Sequence, residues 1–411
     1  MFAIKLGLRN LTRQNRRNII TALVIAFAFF SYLFMDSMMN GMEEMSFDNI
    51  RNLETGNMQV VSPQYWEDRE ELPLDNLIYL DQDVEESLKN IEGLAGISPE
   101  LRFTANLNNG IDELPVLGLG IDPNRYQEVF TTGKYLVAGS MFSLGEPKAV
   151  IGEKLAQLMD LKINDYITLL VKTKEDTFNT IDVEIVGLLY TPHPMVNGGT
   201  VFVPLDIAQQ ALNVENSVSL IAVKLNPGYE ENITEILNRN FQRKDLNLKA
   251  YSWQESAETV IALSTAKKAG ISVILLVVLL IGIVGIINNI ILSALERTEE
   301  IGMMKALGMR ETEIVLVFMV GAIGIGIIGG LAGCLLGAIG VGWLVKYGFD
   351  LSYIGDVSAY GIPILDKLYG VWNFSAFGFL FILGIIVALF SSIAPALWAA
   401  HKDPVKATYH R

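Results

Sequence analysis

From Ile314 to Val345 the chain reads IVLVFMVGAIGIGIIGGLAGCLLGAIGVGWLV, 32 residues without a charged side chain. At about 1.5 Å per residue, a helix of that length exceeds a bilayer core of about 30 Å, so it must tilt, bend or project. A run this long and apolar has no credible soluble reading, and it makes the chain a membrane protein. Working outward, three more segments are long enough to span. Ile19 to Met39 is uncharged until Asp36, and Ala269 to Leu295 and Phe374 to Ala400 carry no charge at all. The basic residues before Ile19 would suit a secretory leader. No A-x-A site follows, however, and the apolar run is long for one, so the segment is read as a retained helix.

Basic residues set the orientation. Lys5, Arg9, Arg13, Arg16 and Arg17 precede the first span, Arg297, Lys305 and Arg310 separate the second from the third, and Lys402, Lys406 and Arg411 follow the fourth. The positive-inside rule places these regions, and so both termini, in the cytoplasm. Residues 43–265 then lie outside, together with a shorter loop at 346–372. The large outer stretch has 16 Lys+Arg against 35 Asp+Glu in a chain of net charge −14. That is a solvated acidic surface, and it argues against nucleic-acid partners. The lone Cys334, inside an apolar run, excludes an internal disulfide and a thiolate metal cluster. Residues 1–17 read as an interfacial helix, with Lys5, Arg9, Arg13 and Arg16 on one stripe and Ile4, Leu8 and Leu11 on the other side.

The outer stretch is mixed in pattern. Period-two or β-branched runs predict strands at 57–61, 115–121, 166–172, 180–189, 200–203 and 217–225, and helical spacing predicts helices at 82–91, 153–159, 205–212 and 229–241. This is an α+β domain. Met35, Met38, Met39, Met42 and Met45 recur at helical spacing, which carries the first helix out of the membrane as a stalk to about Leu53. Ser252-Trp-Gln-Glu255 reads as a capping box that starts a second stalk running through Ala257–Ala266 into the second span. The Met stripe has two readings: contact between the stalks, or a flexible lining for an acyl chain or other greasy cargo.

No catalytic constellation emerges. His193, His401 and His410 are isolated, and His193 sits in the stiff turn Thr191-Pro-His-Pro194. No metal-ligand spacing or nucleophile elbow occurs, and Gly133-Lys134 lacks the upstream Gly of a phosphate loop. The expectation is a non-catalytic chain that binds no cofactor, with any ATP and Mg held by another chain. In the third span Gly326, Gly329, Gly330, Gly333 and Gly337 include pairs four apart, which permit close helix–helix approach. Asp36 and Asn288-Asn289 lie near the ends of their spans, where interfacial placement is the simpler reading.

The loop after the second span, Glu296-Arg-Thr-Glu-Glu-Ile-Gly-Met-Met-Lys-Ala-Leu-Gly-Met309, resembles the short loop helix of the FtsX-like permease superfamily of ABC transporters. Ala149-Val-Ile-Gly-Glu-Lys-Leu-Ala156 with Leu161-Lys-Ile-Asn-Asp165 resembles the superfamily's "G-x-x-L-A…G-D" stretch. Asn164 stands where Gly is usual, and Asn tolerates the left-handed conformation. Val201-Phe-Val-Pro-Leu-Asp-Ile-Ala-Gln209, Pro395-Ala and Asp403-Pro-Val-Lys-Ala407 are similar to further family segments. Gly56-Asn-Met-Gln-Val-Val61 is similar to a motif of the lipoprotein-releasing (Lol-type) permeases; MacB-type chains, which share the large outer domain, carry a fused ATPase that is not seen here.

The resemblance implies a coupling helix that docks on a cytoplasmic ABC ATPase, through Arg297, Glu299, Glu300, Ile301, Met304, Lys305, Leu307 and Gly308. Ile301, Met304 and Leu307 share its apolar face, and Gly308 ends it. It also implies a dimer with a second permease, identical or paralogous, and mechanotransmission from ATP closure to the outer domain. The cargo would be a lipoprotein or another hydrophobic molecule in the outer leaflet of the inner membrane, with a periplasmic acceptor protein as a further partner. The alternative is an FtsX-like regulator of cell-wall hydrolases that transports nothing.

The expected organisation is a four-span α-helical membrane protein with a large extracytoplasmic α+β domain between helices 1 and 2. In segments it runs: 1–18 cytoplasmic, 19–42 first span and stalk start, 43–265 outer domain, 266–295 second span, 296–313 coupling loop, 314–345 third span, 346–372 outer loop, 373–400 fourth span and 401–411 cytoplasmic tail.

Overall fold

The computed structural model describes residues 5–7, 9, 15–229, 232–296, 298–350 and 367–401. The described residues divide into two compact units. One is built on Glu44–Leu263. The other comprises residues up to Glu43, Ser264–Asp350 and those from Lys367 onward.

The Glu44–Leu263 unit is organised by strands β1 (Met58–Val61), β2 (Ile78–Tyr79), β3 (Leu94–Asn108), β4 (Glu113–Ile121), β5 (Leu136–Gly139), β6 (Lys148–Gly152), β7 (Tyr166–Lys172), β8 (Phe178–Leu189), β9 (Thr200–Pro204), β10 (Ser217–Val218), β11 (Leu220–Leu225) and β12 (Lys249–Ser252). The main sheet runs β12-β1-β11-β3-β4-β9-β6-β8-β5, and β7 pairs with both β3 and β8. Strands β3, β4, β9, β6, β8 and β7 thus close into a ring, and β11, β1 and β12 extend β3 as a wing.

Alternation fills the ring. Leu101, Phe103, Ala105 and Leu107 of β3 face one way, into a core shared with Ile167, Leu169 and Val171 of β7 and Val201 and Val203 of β9. A second core on the opposite face gathers Leu119, Ile121, Tyr126, Phe130 and Phe202. Helices Gln82–Lys89, Glu153–Leu158, Leu205–Leu212 and Ile233–Arg243 occupy the positions that helical spacing predicted. Asp81 caps the first of these by accepting from the Val84 N–H at 2.8 Å, a contact worth about 1 kcal/mol.

Strand β3, the longest in the sheet, was not expected. Pro99 and Gly96 break the pattern of a strand as read from sequence. The structure accommodates Pro99 because it is paired only with Ile221 of β11; β4 joins from Glu100 onward. The run expected at 217–225 divides into β10 and β11 at Ser219, whose hydroxyl accepts from the Arg102 N–H at 3.0 Å. The Ser252–Glu255 capping box forms, but it opens only the short helix Trp253–Ser256; the long helix begins anew at Glu258 after Ala257. Asn164 takes φ +73°, the left-handed conformation expected of it.

The other unit is helical. Helices Asn15–Ile50, Glu311–Tyr347 and Phe374–Ala400 contain the apolar runs read from sequence, and the first ends in a π-helical turn, Arg51–Thr55. Among the described residues, three helices are long and apolar enough to cross a membrane. A further helix, Glu258–Glu296, contains the run expected as the second span, and several of its side chains lie outside the described set. Ala22, Ile25, Phe29 and Leu33 pack with Ala322, Ile325, Val341, Leu380 and Ala388 into one core. Strands β13 (Phe349–Asp350) and β14 (Lys367–Leu368) pair at its end. Most of the expected outer loop at 346–372, the tail from Lys402 and most of the first 14 residues lie outside the described residues.

Candidate functional site

The loop that carries the proposed coupling residues folds as an elbow. A short helix, Thr298–Ala306, is closed by Gly308 at φ +85°. The Met309 N–H bonds to the Met304 carbonyl at 3.0 Å and the Gly308 N–H to the Lys305 carbonyl at 2.9 Å, the paired bonds of a Schellman cap. The next helix starts at once, with the Glu313 carboxylate accepting from the Arg310 N–H at 2.9 Å. The turn is therefore hydrogen-bonded on both sides.

The elbow is anchored on one face and bare on the other. Ile301 is buried against Ile314, Val315, Ala396 and Ala400, with Met304 and Met309 packed beside it. Lys305 lies 3.4 Å from Glu311, and Glu311 also lies 3.6 Å from His401 at the end of the last helix. Leu307, by contrast, is 87% exposed, and Met303 is 55% exposed. The structure thus separates the three apolar residues that the sequence put on one face. Ile301 and Met304 bind the elbow to its own chain, because helix Thr298–Ala306 ends before Leu307 and the cap turns that residue outward. Met303, which sequence reasoning did not single out, stands with Leu307 on the accessible side. No local signal distinguishes it from Met304; only the packing does. Glu300 is half-buried, and Arg297 and the side chain of Glu299 lie outside the described residues.

The methionine stripe sits on helix Asn15–Ile50, with Met35 exposed and Met38, Met39, Met42 and Met45 half-buried. Beside it Asp36 accepts from the side-chain amides of Asn40 at 3.1 Å and Asn373 at 2.9 Å, which ties the first helix to the start of the last. The glycines of Glu311–Tyr347 face helices of the same chain. A Cβ on Gly329 would stand 2.9 Å from the Ala22 carbonyl oxygen, and one on Gly333 would stand 2.6 Å from Phe29 Cβ. Gly326 faces Ala388, Gly330 faces Phe381 and Gly337 faces Leu33. Among the described residues, no group of three His, Cys, Asp or Glu side chains is placed to hold a metal ion.

Residues 19–237 match the MacB-like periplasmic core domain, and residues 272–404 match the FtsX-like permease C-terminal domain. The chain belongs to the MacB/FtsX family of ABC transporter permeases. An uncharacterized ABC transporter permease of Methanocaldococcus jannaschii is 26% identical over 69% of this chain and 68% of its own length. The macrolide export ATP-binding/permease protein MacB of Vibrio parahaemolyticus is 24% identical over 98% of this chain, and that of Bartonella henselae is 22% identical over the same share. The chain spans 59% of the length of each of these two exporters. The periplasmic region of MacB from Actinobacillus actinomycetemcomitans aligns with 52% of this chain and 96% of its own, at 14% identity and a TM-score of 0.36. As a family member, this permease is a membrane protein with an extracytoplasmic domain of the MacB-like type.

Proposed function

We propose that the chain is the permease subunit of a transporter whose ATP hydrolysis takes place on a separate cytoplasmic ABC ATPase. The observation that carries this reading is the elbow at Thr298–Met309. Its cap is closed by paired hydrogen bonds, and its inner face is tied to the helix that follows and to the last helix through Ile301, Lys305 and Glu311, while Leu307 stands bare. A capped turn anchored to two long helices, with an apolar residue projecting from it, is suited to receive a push from a partner groove. Seating Leu307 in such a groove would contribute about 1.5–3 kcal/mol.

In this reading four helices cross the inner membrane, at 19–42, 266–295, 314–345 and 373–400, and both termini are cytoplasmic. Residues 43–265 form the outer domain with its stalks, and 346–372 the second outer loop. Two permeases, identical or paralogous, work as a dimer with two ATPases. ATP-driven closure passes through the stalks to the outer domain, and a hydrophobic cargo leaves the outer leaflet for a periplasmic acceptor. A lipoprotein suits the motif similarity at Gly56–Val61. An apolar small molecule suits the relatives named for macrolide export. The half-buried Met38, Met39, Met42 and Met45 supply an adaptable apolar surface for either.

The test is reconstitution of the permease with its co-purified ATPase in lipid nanodiscs. Charged substitutions at Met38 and Met42 should abolish cargo stimulation of ATP hydrolysis while basal hydrolysis persists. Cargo stimulation that survives both changes removes the stripe from the mechanism.

A further inference from the structure

The wing end of β3 carries two ionic side chains that the transport reading does not use. Glu100 and Arg102 are two residues apart on a strand and so share a face. That face packs against the second core, among Leu119, Tyr126 and Phe202. Arg102 donates from Nε at 3.1 Å and from Nη2 at 2.9 Å to the same oxygen of Glu100, Oε2. Nη2 also donates to the backbone carbonyl of Glu54 at 3.0 Å. Glu100 is 1% exposed, and its other oxygen, Oε1, is buried with no hydrogen-bond partner.

His193 approaches the same space. It precedes helix Pro194–Gly199, and its turn is fixed by Asn197, which accepts from the Thr191 N–H at 2.7 Å and donates to the Thr191 carbonyl at 2.6 Å. The imidazole Nε2 lies 3.2 Å from the Glu54 carboxylate, while Nδ1 is buried and unpartnered. Between these groups lies a cavity of about 80 Å³, walled by Leu53, Leu117, Leu119, Phe202 and the exposed-rim residue Met195. One water needs only about 10–15 Å³ on the same measure, so there is room for a ligand of several heavy atoms.

The chemistry of the lining selects that ligand. Oε1 of a carboxylate only accepts, and Nδ1 of the imidazole accepts when Nε2–H donates to Glu54. The Glu100 and Glu54 side chains both lie near the Arg102 guanidinium, and Tyr126 and Phe202, residue types whose rings attract cations, line the cavity. The remaining walls are apolar. We propose that this cavity binds a small primary ammonium group on a short alkyl chain. The site needs neither ATP nor a partner subunit, so it stands or falls separately from the transport reading.

Burial pushes the Glu100 carboxyl above the ordinary carboxylate range; Arg102 opposes the rise and Glu54 adds to it. The groups around it are Arg102, Glu54, His193, Tyr65 and Tyr126. An ammonium ion favours the ionised carboxylate, so its affinity rises with pH.

The test is isothermal titration of the full chain in detergent with butylammonium, and with 1-butanol and butyrate as neutral and anionic counterparts. Butylammonium should bind saturably, and the other two should not. Glu100→Gln should weaken binding at least about tenfold. Met195→Trp, which fills the rim from a position already 59% exposed and so leaves folding intact, should do the same. Should Glu100→Gln fail to fold, Met195→Trp decides the question. Equal responses to the three probes, no saturable binding, or full affinity in Met195→Trp would each overturn the proposal and leave a cavity filled by water.

Discussion

The seam between the first and third long helices and the elbow that follows the second are built from opposite choices. Along the seam, Gly329 and Gly333 give up side chains so that the backbone of Ala22 and Ala26 can approach. Little space is left there, and nothing apolar needs a partner from outside. In the elbow, one face is packed as tightly, around Ile301, but the other leaves Leu307 and Met303 bare. On the proposed reading, that bare face is where the separate ATPase docks. Apolar exposure by itself does not single out this face, since many side chains of the long helices are also exposed; the reading rests on the Schellman cap and the ion pairs beside the bare residue.

Substitutions on each side sharpen the contrast. Ile301→Ala empties a buried position and should destabilise the permease by about 2–5 kcal/mol, read from thermal unfolding in detergent. A loss within the range of an exposed site would mean that the elbow does not pack on its own helices. Gly333→Leu forces a side chain into the seam and should cost about 1–3 kcal/mol. An unchanged melting temperature there would show that the helices stand further apart than described. Lys305→Gln removes a partly exposed ion pair and should cost about 0–1 kcal/mol. Its effect should show instead as weaker coupling between ATP hydrolysis and cargo release. Leu307→Asp is the smallest of the four for folding, within about 0.5 kcal/mol, because the residue touches little of its own chain.

Much of this is legible in the sequence. Strand β7 begins and ends at the residues the alternation gave, 166 and 172, because it is buried on one face and solvated on the other, the case in which period two is cleanest. The Ser252 cap was legible because it is a local hydrogen-bond pattern. Strand β3 was hidden although Leu101, Phe103, Ala105 and Leu107 alternate. Pro99 argues against a strand unless it is known that only β11 lies beside it, and that is a fact about distant residues. The buried pairing of Glu100 with Arg102 was hidden for the same reason, since charges in sequence read as surface. In the elbow, spacing identified the segment and its Gly308 cap. It could not say which of Ile301, Met304 and Leu307 faces inward, because that depends on packing against Ile314 and Val315 of the next helix and Ala396 and Ala400 of the last.

The bare face of the elbow is proposed as the contact for a separate ATPase. The most direct measurement is co-purification of that ATPase with the Leu307→Asp permease from native membranes, beside the unaltered chain. The variant should fold and reach the membrane at normal levels while the bound ATPase falls at least about tenfold. Recovery of the ATPase at the unaltered stoichiometry would contradict it.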